Sequence, residues 1–133
     1  MSIITAQLTL SGNGITSDPL SITQSAALSV QTPVIESGTM TLNSIAIGQD
    51  LIPITITEKV FLYIKHTGVV GDPNILIKSI PSIAVGAGFG NLSPGEWSFT
   101  PIKFADPAKL KGVSCILETA GVATLEYSYF TDA

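Results

Sequence analysis

The sequence contains no arginine, and only 12% of its 133 residues are charged. Globular domains usually carry about 25% charged residues. Arginine is the side chain best suited to phosphate recognition, and the net charge of −4 would repel a polyanion. We therefore expect no nucleic-acid partner. Because charges are so few, many surface positions must hold hydroxyl or apolar side chains, which favours contact with other protein chains.

Cysteine, histidine and tryptophan occur once each, as Cys115, His66 and Trp97. A single cysteine excludes an internal disulfide, and one cysteine with one histidine leaves too few ligands for a zinc site. Alternation with Val113 and Leu117 predicts that Cys115 is a small buried side chain. No nucleophile motif accompanies His66, which we expect on the surface or in a loop. We expect no metal and no cofactor.

Long apolar runs are also missing, since no stretch reaches the roughly 18 apolar residues of a membrane-spanning helix. Residues 1–10 lack a basic segment followed by an apolar one, and they alternate in the manner of a strand. We expect synthesis in the cytoplasm and no membrane partner. The length suits one domain over residues 1–133.

The pattern that dominates the chain is alternation with a period of two. Residues 3–10 and 20–30 alternate apolar with Ser, Thr or Gln side chains, which predicts strands that are half buried. Residues 54–68 are apolar on both faces and predict a central strand. Pro101 predicts that the strand following Trp97 lies at a sheet edge or carries a bulge. Residues 113–130 are predicted to form a closing hairpin around Ala120 and Gly121.

One short helical turn is predicted at residues 105–112, ADPAKLKG. Asp106 can cap it, Pro107 fits the first helical position and Gly112 can end it. About eight strands without interleaved helices predict an all-β chain folded as an antiparallel β-sandwich. The pattern leaves open whether the strand order is that of a jelly roll.

The segment LSPGEWSFTPIKF, residues 92–104, holds the carboxylate most suggestive of chemistry, Glu96. A general acid needs burial or a neighbouring charge to adjust its pKa, and usually a second titrating group. The nearest carboxylate along the chain is Asp106. A turn at Pro94-Gly95 with a solvated Glu96 explains the segment more simply, so we expect no catalytic residue and no enzyme.

Other patterns are fragments of sites. GAGFG at residues 86–90 lacks the Gly-Lys-Ser/Thr of a phosphate loop, and residues 86–95 are predicted to form a flexible turn region. Asp72 near Asn74 supplies too few oxygens for calcium. Glu118 and Glu126 are expected to be two solvated carboxylates on opposite strands of the last hairpin.

Four segments carry a family resemblance: VFLYIKHTG, ILIKS, LSPGEWSFTPIKF and GVATLEYSYF. Their order over residues 59–133 resembles that in small virion proteins of tailed bacteriophages. His66 stands where the corresponding segment more often has asparagine. The resemblance implies an assembly role in the virion, above all as a capsid decoration or cement protein. A head fibre, a tail or connector component, or a receptor- or sugar-binding domain remains the alternative, and a small hydrolase is least favoured.

The partners that this resemblance implies are the major capsid protein or other virion proteins. A homo-oligomer is expected as well, with a trimer as the first expectation. Segments that we expect to touch a partner are the first strand, the glycine-flanked Phe89 as a flexible tip, and the C-terminal strand. The contact residues are Ile3, Ile4, Phe89, Tyr129 and Phe130.

Overall fold

The computed structural model describes residues 2–12, 20–80, 88–103 and 111–132. These residues form nine strands and no helix. The strands are β1 (Ser2–Gly12), β2 (Leu20–Leu42), β3 (Gln49–Ile52), β4 (Val60–His66), β5 (Ile75–Ile80), β6 (Gly88–Leu92), β7 (Trp97–Ile102), β8 (Lys111–Leu117) and β9 (Ala123–Asp132). In the described part of the chain, nothing helical is long and apolar enough to cross a membrane.

Two antiparallel sheets pack face to face. One has the strand order β1-β2-β9-β4-β7, and the other has the order β3-β8-β5-β6. If β2 to β9 are lettered B to I, the sheets contain B-I-D-G and C-H-E-F, which is the strand order of a jelly roll. The predicted β-sandwich is therefore confirmed, and β1 is an extra strand beside the eight of the jelly roll.

The core lies between the inner faces of the two sheets. Its members include Leu42, Ile52, Val60, Leu62, Ile64, Ile75, Ile77, Val113, Cys115, Leu117, Leu125 and Tyr129. Each fully buried aliphatic side chain of this kind contributes about 1.5–3 kcal/mol to folding. Strand β4 pairs with β7 on one side and β9 on the other, as expected for a central strand. Pro101 lies in β7, which is an edge strand as predicted.

The predicted closing hairpin is wrong. Strand β8 pairs with β3 and β5, whereas β9 pairs with β2 and β4 in the other sheet. The chain therefore crosses from one sheet to the other after β8. Insertion of β9 between two strands satisfies its backbone groups on both sides, whereas a terminal hairpin would leave one side unpaired.

The predicted flexible region at residues 86–95 is wrong in part, because residues 88–92 form β6. Gly90 pairs with Ile77 on β5, and a Cβ added to Gly90 would lie 2.9 Å from the Ile77 Cδ1 atom. The Ile77 side chain thus occupies the space that a side chain at position 90 would need, which favours glycine there.

The predicted helical turn falls mostly on residues outside the described part of the chain. Its last member, Gly112, lies in β8 with a φ of 63°. The register of β8 with β5 shifts at this point, from Ser79↔Val113 to Ile80↔Lys111. Gly112 is therefore the extra residue of a β-bulge. A bulge and a helix end can both require a positive φ, which glycine adopts without steric cost.

Strand β1 and residues 20–30 of β2 form a two-stranded extension that we call the arm. They pair without interruption from Ser2↔Val30 to Gly12↔Leu20. The register of β2 then shifts between Val30 and Ile35, where β2 joins β9. The prediction of half-buried strands holds only near the base of the arm, since Leu8, Leu10 and Ile22 are exposed.

Candidate functional site

A groove of about 720 Å³ lies between the arm and the outer face of the five-stranded sheet, and we call it the aromatic groove. The arm contributes Ile4, Thr5, Ala6, Gln7, Leu8, Gln24, Ser25, Ala26 and Leu28. The sheet contributes Phe61, Tyr63, Trp97, Phe99, Pro101, Ser128 and Phe130. None of these side chains is charged at neutral pH, so the groove suits an uncharged, largely apolar occupant.

The aromatic wall follows from strand alternation. On β4, the even-numbered residues face the core, and Phe61 and Tyr63 face outward. The register places Phe61 opposite Pro101 on one side and Phe130 on the other. The rings of Phe61 and Phe99 are parallel, with centroids 6.3 Å apart. Such cross-strand aromatic contacts fix the wall as a preformed surface.

Trp97 is the groove residue with the largest exposed aromatic surface. Its side chain is 51% exposed at the start of edge strand β7. Large aromatic side chains of this kind are the residues that most often dominate binding energy at protein interfaces. Trp97 is also the only tryptophan, so its fluorescence reports on the groove alone.

Tyr63 is the one titratable side chain in the described lining of the groove. Its hydroxyl donates a hydrogen bond to Glu126 Oε1 at 2.7 Å. Burial, followed by the hydrogen bond and the charge of Glu126, raises the pKa of Tyr63 to about 12. The phenol therefore keeps its proton at neutral pH and cannot act as a base there.

Glu96 is part of a turn. Its backbone N–H donates to the Ser93 carbonyl at 3.0 Å, and its Oε2 accepts from the Ser93 N–H at 2.7 Å. Gly95 has a φ of 86°, as required at the third position of a type II turn that begins with Ser93-Pro94. The predicted Pro94-Gly95 turn with a solvated carboxylate is confirmed.

His66 is completely buried, so the prediction of a surface histidine is wrong. Gly68 donates its backbone N–H to Nδ1 at 3.0 Å, which places the ring proton on Nε2. Nε2 then donates to the Pro73 carbonyl at 2.9 Å. Both ring nitrogens are thus used to hold the loop between β4 and β5, which compensates for the cost of burying a polar ring.

The carboxylates considered from sequence do not form a site. Asp72 Oδ2 accepts the Val69 backbone N–H at 2.9 Å and so stabilises its own turn. Glu118 is exposed just after β8, whereas Glu126 lies on β9 in the other sheet. Within the described residues, no group of three or more His, Cys, Asp and Glu side chains could hold a metal.

Cys115 is fully buried, as its alternation predicts, and burial raises the pKa of its thiol to about 12. We expect a thiol reagent at pH 8 to modify the native protein at least about 100-fold more slowly than the urea-unfolded protein. Equally fast modification of both forms would contradict this burial. The unfolded chain loses the thiol proton near pH 8.5, so the thiol's contribution to the free energy of unfolding falls as pH rises from about 8.5 to 12.

The five predicted contact residues have different environments. Ile3 is 70% exposed on β1, and Ile4 and Phe130 line the aromatic groove. Tyr129 is only 4% exposed and belongs to the core, because it alternates with Phe130 and faces the opposite side of the sheet. Its assignment as a contact is therefore wrong. Phe89 lies in β6, not at a flexible tip, and its side chain falls outside the described part of the structure.

Sequence reasoning missed most of this groove. The sequence predicts Phe61 and Tyr63 on the second face of β4, but the opposite wall of the groove comes from residues far away in the chain. The signal that could have indicated it is the apolar second face of β4, which needs a cover.

No protein-family model and no curated protein sequence matches the chain. Among solved structures, it is similar to a chain described under the words "Bacillus endospore appendages form a novel family of disulfide-linked pili". The two share 13% identity, over 75% of this chain and 88% of that chain, with a TM-score of 0.42. This likeness is too distant to carry an argument, so the function has to be argued from the residues themselves.

Proposed function

We propose that this protein is a structural component of a larger assembly, held there through its aromatic groove. The observation that carries the proposal is the groove lining, which has an aromatic wall on the sheet, an opposite wall of aliphatic and uncharged polar side chains on the arm, and no charged side chain. Such a surface gains free energy by burying apolar area, and it has no group suited to proton transfer or metal binding.

The more specific proposal is a capsid decoration or cement protein of a tailed bacteriophage. Of the four segments that resemble small phage virion proteins, ILIKS lies in β5 of the four-stranded sheet, and the remaining three contribute to β4, β7 and β9, which are neighbours in the other sheet. Together they form the aromatic wall. A resemblance that includes the exposed groove as well as the core supports a shared assembly role. The jelly roll is compatible with it, because this fold also occurs in viral capsid proteins.

The partner on the particle would be the major capsid protein or another virion protein. Each copy would bury a modest area, roughly 800 Å² on each side for a standard interface. Because the same contact would be repeated over the shell, many small contributions would together stabilise the whole particle.

The experiment is binding of purified protein to empty capsids that lack it, measured as copies bound per particle over a concentration series. We expect saturation at a large, symmetry-related number, and Trp97→Ser to weaken binding at least about tenfold. The side chain is half exposed on an edge strand, so the variant should keep its fold.

Ile54→Ser is the matched control, since Ile54 is 52% exposed but does not line the groove. It should bind as the unaltered protein does. Equal binding by Trp97→Ser and Ile54→Ser would remove the groove from the proposal, and failure of the unaltered protein to bind capsids would remove the decoration role.

A second candidate function is sugar or receptor binding on the particle. The half-exposed Trp97 faces the same groove as the amides of Gln7 and Gln24, which is the aromatic and amide combination that a sugar site uses. A shallow polar pocket containing Glu126 adjoins it at Tyr63 and Ser128. A saturable change in Trp97 fluorescence with soluble oligosaccharides, absent with capsids, would favour this candidate.

A further inference from the structure

The four edges of the two sheets differ in how they are protected. An unpaired strand edge is a template for pairing with another chain, so natural proteins shorten it or interrupt it with charge, proline or bulges. The edge strands are β1 and β7 in one sheet and β3 and β6 in the other.

Three of these edges carry protection. Strand β7 contains Pro101, which has no N–H to donate. Strand β3 is four residues long and includes the exposed Asp50. Strand β6 is five residues long, contains Gly90 and has a shifted register with β5. None of the three offers a long, regular row of backbone groups.

Strand β1 carries no protection of this kind. It spans 11 residues, SIITAQLTLSG, with no charge and no proline, and its only glycine is the last residue. Its register with β2 is unbroken over its whole length, so no bulge bends the edge away. Among the described strands it pairs only with β2, which leaves its other edge open.

We propose that β1 pairs antiparallel with β1 of a second copy around a two-fold axis, which joins two five-stranded sheets into one. In the register that pairs all 11 residues, Gln7 of one copy lies opposite Gln7 of the other, and the axis passes midway between them. Ile4 then lies opposite Leu10 of the second copy, and Ala6 lies opposite Leu8. Thr5 lies opposite Thr9 on the other face. The strand is therefore complementary to itself on its apolar face, and on the other face the pair of Ile3 with Ser11 is the exception.

A second copy is the occupant because β1 is the only long open edge among the described strands. A ring of three built by strand pairing would need a second, different edge on each copy, and β3, β6 and β7 are short or interrupted. A two-fold contact uses β1 twice and leaves no open long edge. The dimer thus differs from the trimer expected from sequence.

The size of the contact fits a weak dimer. Eleven paired residues extend about 37 Å, and a ribbon edge about 10 Å deep gives roughly 400 Å² on each chain. Stable interfaces bury about 800 Å² on each side. The contact is about half of that size, so we expect a weak dimer whose population depends on concentration.

The inference does not depend on the proposed function. A monomer could still bind capsids, and a dimer could fail to bind them, so the two tests fail separately.

Sedimentation equilibrium of the full chain over a wide concentration range tests the dimer directly. We expect a mass approaching twice 13.8 kDa at high concentration. Gln7→Lys would place two like charges directly opposite each other at the axis and should weaken dimerisation at least about tenfold. Gln7 is exposed, so the monomer should tolerate the change, which circular dichroism would check.

Ser25→Lys is the matched control, since Ser25 pairs with Gln7 on the neighbouring strand. Three strand spacings would separate the two lysines in the dimer, which places their charges about 14 Å apart. This distance exceeds the Debye length of about 8–10 Å, so dimerisation should persist. In a second measurement, Gln7→Cys should form an intermolecular disulfide on mild oxidation and Ser25→Cys should not. The native Cys115 is buried and does not interfere.

A monomer at all concentrations would overturn the proposal. A trimer, a dimer equally sensitive to both lysine variants, or equal cross-linking at positions 7 and 25 would also overturn it.

Discussion

Replacing His66 with alanine is expected to lower the free energy of unfolding by about 3–5 kcal/mol. The change removes both hydrogen bonds of the ring, and the Gly68 N–H and the Pro73 carbonyl lose their partner. Each buried group left without a partner costs about 1–3 kcal/mol, and the cavity adds to this. Since the total free energy of unfolding of such a domain is about 5–15 kcal/mol, the variant would be close to unfolding.

Urea unfolding followed by Trp97 fluorescence measures this loss, with an unchanged denaturant slope as the check that folding stays two-state. His66→Asn is the informative companion, because an amide supplies one acceptor and a donor as the imidazole does. We expect His66→Asn to lower the free energy of unfolding by about half as much as His66→Ala does. A loss below about 1 kcal/mol in His66→Ala would contradict the account of the buried ring.

Replacing Gly112 with alanine is expected to cost about 2–4 kcal/mol. The backbone there has a φ of 63°, where an L side chain costs about 1–2 kcal/mol. In addition, an added Cβ would collide with the Ile52 carbonyl oxygen, a backbone atom that cannot rotate away. The bulge in β8 would have to shift, and β3 with it.

Gly95→Ala is the matched control for this prediction. Gly95 has a φ of 86°, and nothing lies within 4 Å of a Cβ built there. Its loss should therefore be about 1 kcal/mol, from backbone conformation alone. The difference between the two variants in urea unfolding isolates the contact with Ile52. Equal losses would mean that β8 relaxes freely around the bulge.

Features set by local pattern were predictable from the sequence. The apolar residues on both faces of β4 placed it centrally, and Pro101 placed β7 at an edge. The turn at Pro94-Gly95 was predictable because proline and glycine favour the backbone conformations that such a turn requires. Each of these depends on a few consecutive residues, and alternation alone indicated the β-sandwich.

Features set by distant partners were not predictable in this way. Strand β9 pairs with β2 and β4, and nothing near Ala123 distinguishes that from pairing with β8. His66 can be buried because backbone groups of the following loop form hydrogen bonds with its ring. The side-chain pattern of the sequence does not indicate these backbone partners. The aromatic groove likewise needs the arm and three strands to meet.

The claim that the aromatic groove is the surface of assembly can be tested at Trp97 itself. Incorporation of 5-hydroxytryptophan makes this position visible among the tryptophans of a particle, since it is the only one in the chain. Quenching by acrylamide should be compared between the free protein and the protein bound to capsids. The account predicts that quenching falls several-fold on binding, because the half-exposed ring becomes covered. Equal quenching in the two states would show that the protein assembles through another surface.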